Sequence, residues 1–76
     1  HHYTFFIIKK EIFMYIRELA KKLAVSVMWL KKIKYFKNNI VNHQDLEDLR
    51  EIFLNKETNC SLIKAKKIEK IIKEIA

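Results

Sequence analysis

Apolar positions recur from near the start of this chain at the three- and four-residue spacing of an α-helix. Phe5, Ile8, Ile12 and Ile16 share one helical face, with Lys9, Lys10 and Glu11 between them and Thr4 placed as a cap. Phe6, Ile7, Phe13 and Met14 widen that face beyond a single stripe, which marks a helix that is deeply buried or serves as an interaction surface. Ile16, Leu19, Ala20 and Leu23 carry the period on, opposite Arg17, Glu18, Lys21 and Lys22. No break separates Phe13 from Tyr15, so the first two helices are free to run on as one.

Val25-Ser26 then interrupts the pattern, and Ser26 is a good N-cap for the next helix. That helix turns Leu30 and Ile33 inward and Lys31, Lys32 and Lys34 outward, and is expected to stop at Lys37-Asn38-Asn39, where Asn tolerates a left-handed backbone. Ile40-Val41 reads as a short apolar linker. Asn42 caps a helix with acids in its first turn and Leu46, Leu49, Ile52 and Phe53 on its apolar face. After a polar turn over 55–59, a last helix from about Cys60 aligns Leu62, Ala65, Ile68, Ile72 and Ile75. The expected fold is all-α, a compact bundle of four to five short helices over 4–76, forming one domain with a helix-turn-helix at 16–37.

Composition supports helices: the chain of 76 residues has no Gly and no Pro, the residues on which tight β-turns and bulges depend. A chain of this length supports one small core. His1 and His2 read as the end of a purification tag, leaving 1–3 outside the fold. One cysteine, Cys60, excludes an intrachain disulfide and fits a reducing, cytoplasmic setting. The longest apolar runs, Phe5–Ile8 and Ile12–Ile16, are far short of the ~20 residues of a membrane span.

Charge changes the picture more. The net charge of +7 is unevenly spread. Residues 1–37 hold nine Lys/Arg against two acids, residues 38–58 two against five, and residues 59–76 five against two. A basic front and a basic tail around an acidic middle suggest a polyanionic partner.

The segment Ile16 to Tyr35 has the logic of two short helices crossing at a tight turn. Leu19 and Leu23 anchor the first helix and Ala20 gives the close contact. Ala24, Val25 and Ser26 make the turn, and Leu30 and Ile33 anchor the second helix from beneath. Here the chain resembles the lambda-repressor-like helix-turn-helix family over about residues 16–53, with Ala24 where glycine is usual. The resemblance implies duplex DNA as partner, with the second helix in the major groove. Ser26, Val27, Met28, Trp29 and Lys32 would then face the bases, and Arg17, Lys21, Lys31, Lys34 and Lys37 the phosphates. It further implies a small transcriptional regulator or accessory factor of phage, plasmid or bacterial origin; a dimer is expected because one small module rarely binds tightly enough alone, with the first or the last helix as its interface. The segment Tyr15 to Ser26, with Ile40-Val41-Asn42-His43 and Leu46, also resembles the N-terminal module of bacterial translation initiation factor 2. That second resemblance implies a ribosome or RNA partner.

Other residues are read as structural. Trp29 serves either as a core anchor or as an exposed contact. Tyr35 and Phe36 are expected to pack against a later helix rather than stack on bases. His43 lacks partners at metal-binding spacing, and Cys60 lacks an adjacent base. Asp45, Glu47, Asp48 and Glu51 read as a solvated helix face. Neither a glycine-rich phosphate loop nor a Ser-His-Asp arrangement is present, so no enzyme, metal or cofactor is expected. The rival class is a protein–protein module, such as an inhibitor or an assembly subunit, motivated by Phe5, Phe6, Phe13, Met28 and Trp29.

Overall fold

The segment read as a first helix is a β-hairpin. In the computed structural model, which describes residues 5–8 and 11–75, β1 (Phe5–Ile8) pairs antiparallel with β2 (Glu11–Tyr15) in the register Phe5↔Met14 to Ile8↔Glu11. The all-α expectation is thereby corrected to a mixed α/β fold. The physical reason lies in residue type. Phe, Ile and Tyr prefer a pleated, half-buried surface, and they outweigh a helical spacing that a wide apolar face satisfies in any case. The tag remnant expected at 1–3, the Thr4 cap, and Lys9 and Lys10 lie outside the described residues.

Ile40-Val41, expected as a linker, is a third strand. β3 (Ile40–Val41) pairs antiparallel with β2 through Met14↔Val41 and Tyr15↔Ile40, which gives a sheet of order β1-β2-β3. Along β2 the side chains alternate, so Met14 is buried on one face while Phe13 and Tyr15 belong to the other. On that other face the Phe6 ring stacks on Phe13 at 5.8 Å and meets Tyr15 at 4.9 Å between centroids.

Two helices fill the connection from β2 to β3. α1 (Ile16–Leu23) follows β2 directly and buries Ile16, Leu19, Ala20 and Leu23. Its end is made by Ala24, which holds a left-handed backbone (φ 57°, ψ 45°). The Val25 N–H donates to the Ala20 carbonyl at 2.9 Å, the six-to-one closure that glycine usually serves. Ser26 then caps α2 (Val27–Ile33), its hydroxyl accepting from the Trp29 N–H at 3.0 Å. Expected to reach Lys37, α2 instead stops after Ile33, and Lys34 is extended. Continued as a helix, the chain would carry Phe36 well away from the face of Leu30. Breaking the helix allows Phe36 to be buried. A 3₁₀ turn (Lys37–Asn39) follows, with Asn38 and Asn39 both at positive φ, before β3.

The chain divides at Asn42/His43 into two compact units. The second is a helical hairpin of α3 (His43–Lys56) and α4 (Asn59–Ile75). Leu46, Leu49 and Phe53 are buried on α3, as the spacing predicts. On α4 the buried line is Ser61, Ala65, Ile68, Ile71 and Ile75; Leu62, expected inward, is exposed. Thr58 caps α4 and satisfies the buried Ser61: its hydroxyl accepts from the Ser61 N–H at 3.1 Å and donates to the Ser61 hydroxyl at 2.8 Å. Among the described residues no helix is long and apolar enough to cross a membrane.

Candidate nucleic-acid interface

α2 is held from beneath by one fully buried side chain, Leu30, with Ile33 half-buried beside it. At roughly 100° per residue, Met28 and Lys32 then occupy the line farthest from Leu30, Trp29 one flank, and Val27 and Lys31 the other. Exposure follows that geometry. Met28 is 70% exposed and Trp29 37%, and Lys31 and Lys32 are open to solvent. Trp29 is therefore not a core anchor, although most of its surface is covered. On α1, Arg17, Lys21 and Lys22 are likewise exposed, four of its eight positions being given to the core.

The Val27–Lys31 flank of α2 borders two neighbouring depressions, together called the groove. One, of about 380 Å³, is lined by Tyr15, Ile16, Arg17, Val27 and Asn39. The other, of about 180 Å³, is lined by Lys31, Lys34, Tyr35, Phe36 and Asn39. Asn39 is common to both, and the sheet explains its position: it precedes Ile40, which pairs with Tyr15 across β2–β3. Arg17 and Val27 thus line one depression, and Lys31 and Lys34 the other. Met28 and Lys32 crown the adjacent ridge, Trp29 lies on its far side, and Lys21 and Lys37 line neither depression.

The cations differ in freedom. Lys34 is partly covered, its ammonium 3.2 Å from the Tyr35 carbonyl and 5.3 Å from the centre of the Phe36 ring. Lys31, Lys32 and Lys37 are exposed and meet no acidic side chain among the described residues. In the second unit His43 Nδ1 lies 3.5 Å from a Glu47 carboxylate oxygen, and Arg50 forms an ion pair with Glu69 at 3.7 Å. The His43–Glu47 contact also gives His43 a local partner on α3.

Tyr15, Asn39 and Tyr35 also line these depressions and were not among the site residues expected from sequence. Tyr35 was expected to pack, but it is 78% exposed, while its neighbour Phe36 took the core position. The signal for Tyr15 and Asn39 is the strand pairing itself, which periodicity in one dimension does not carry. Comparison with protein-family models, curated proteins and solved structures finds no match.

Proposed function

We propose that the first unit binds nucleic acid, with duplex DNA as the ligand and α2 as the element that meets the groove. The single observation behind this reading is a Ser26-capped helix anchored by Leu30, with Lys31, Lys32, Met28 and Trp29 all at the surface. Seven residues make a helix about 10 Å long at roughly 1.5 Å per residue, enough to present two turns to a major groove. Met28 on the outermost line can meet thymine methyls, and lysines on both sides of it can meet phosphates. The basic balance of residues 1–37 adds long-range attraction. A role as a small transcriptional regulator or accessory factor is consistent with this chemistry.

The test is the variant Lys31→Glu/Lys32→Glu. Both side chains are exposed, so helicity by circular dichroism should be retained while duplex affinity drops by two orders of magnitude or more. Unchanged affinity in the folded double variant would take α2 out of the interface.

A further inference from the structure

We propose that the groove beside α2 takes unpaired nucleobases, with Tyr15 and Tyr35 as stacking platforms at its two ends. The inference rests on the nucleic-acid reading above, and adds a second mode of contact to it. Each depression combines an exposed tyrosine with a cation: Tyr15 with Arg17, and Tyr35 with Lys31. Tyr15 is 51% exposed and Tyr35 78%, although large aromatic side chains normally bury their rings. Asn39, shared by both depressions, supplies an amide that can donate to and accept from a base edge.

Ring, cation and amide together suit an unstacked base with its phosphate better than they suit an apolar helix. A base offers a π-face to the tyrosine, a hydrogen-bonding edge to the amide and a phosphodiester to the cation. A protein segment matching the groove would need carboxylates and no bulk at Asn39. A second copy of this chain carries +7 overall and could meet these lysines only through its acidic stretch over 38–58, which exposes no Phe, Tyr or Trp ring to the tyrosines. Tyr15 also sits at the end of the Phe13–Phe6–Tyr15 row of rings, which holds its ring from the sheet side. A fixed ring loses less conformational freedom when a base stacks on it.

The source of the unpaired base can be a DNA or an RNA strand, since both share this chemistry. The experiment compares a blunt DNA duplex with the same duplex bearing a three-nucleotide overhang of DNA, of RNA, or of abasic sugar-phosphate, and with the overhang strand alone, by fluorescence anisotropy on the whole chain. The overhang with bases is expected to bind about tenfold tighter than the blunt end, the effect of one or two stacked bases. The abasic overhang should give no such gain. Tyr35→Ala and Tyr15→Ala should each remove the gain and leave blunt-duplex affinity unchanged, while Tyr35→Phe and Tyr15→Phe keep it. Tyr35→Ala is the decisive variant, because so exposed a ring contributes little to folding. Equal affinity for blunt and overhanging duplexes overturns this inference and leaves the duplex reading standing. A gain that persists with the abasic overhang or in Tyr35→Ala overturns it as well, as does a self-associated state in sedimentation that Tyr35→Ala dissolves. Binding of the overhang strand alone, without duplex affinity, supports the inference and overturns the duplex reading. No binding to any of them overturns both.

Discussion

Met14 lies directly across from Val41 in the sheet, and both side chains are almost wholly buried. The strand that leads into α1 is therefore hydrogen-bonded to the strand that leaves the turn after α2. This pairing closes the path of the two helices at both ends. It matters because isolated helices of eight and seven residues are not stable in water, where nucleation costs more than so few bonds return. The sheet and the buried face beneath it supply what local propensity does not.

Met14→Ala should accordingly destabilise the protein by about 2–5 kcal/mol, the range for truncating a large buried side chain. Urea denaturation followed by circular dichroism measures it. Ile7→Ala, at a position 70% exposed on the neighbouring strand, should change stability by no more than about 0.5 kcal/mol. Equal effects of the two substitutions would contradict the placement of Met14 in the core.

The turn between α1 and α2 holds a non-glycine residue in a conformation that favours glycine. Ala24 has φ 57°, and the crowding of its Cβ against the following carbonyl costs about 1 kcal/mol. Ala24→Gly should therefore stabilise the protein by roughly that amount, less a small loss to the greater freedom of glycine in the unfolded chain. Glu57, at φ 56° between α3 and α4, should respond in the same direction. A lower melting temperature for Ala24→Gly would show that the turn is not left-handed in solution.

The helical part of the fold was largely readable from residue spacing, and the sheet was not. Leu19, Ala20 and Leu23, the Ser26 cap, and Leu46, Leu49 and Phe53 each follow from local pattern, because helices keep their bonds and faces within a short window. Phe5 to Tyr15 matched a helical period because the runs on either side of Lys9-Lys10-Glu11 are wholly apolar or aromatic, and such runs satisfy any period. β3 is two residues long, too short to show alternation, and exists because β2 pairs with it. The early end of α2 was hidden for a related reason: the core selected Phe36, and only tertiary packing records that choice. The groove inherits these gaps. Its lysines were visible as charge, but Tyr15 and Asn39 meet there through strand pairing between distant residues.

Lysines that look equivalent in sequence should not contribute equally to binding. Lys32 stands on the outermost line of α2, whereas Lys34 is engaged by the Tyr35 carbonyl and the Phe36 ring. Lys32→Ala should weaken duplex binding several-fold more than Lys34→Ala at the same salt concentration. Lys34→Ala should instead register in stability, by about 0.5–1 kcal/mol from the lost ring contact. Anisotropy titrations and urea denaturation of both variants separate these outcomes, and a reversed order would move the contact surface toward the 3₁₀ turn.

Salt dependence tests whether phosphates are met at all. The logarithm of the association constant should fall linearly with the logarithm of salt concentration, with a slope of about −0.9 for each phosphate neutralised on a duplex. Arg17, Lys31 and Lys32 are the exposed cations beside or upon the α2 ridge and groove, so the slope should lie near −3 by this rule, roughly, before any contribution from Lys21 or Lys37. Removing one of these lysines should reduce the slope by about 1 and weaken all duplex sequences alike. Ser26→Ala offers the complementary measurement. It loses the cap on the Trp29 N–H, frays the first turn of α2 and costs about 1 kcal/mol of stability. It should lower affinity by a factor that does not vary with salt, because it disturbs the helix without removing a charge. A salt-dependent loss in Ser26→Ala, or a flat salt response in the wild-type protein, would separate binding from the charge geometry of α2.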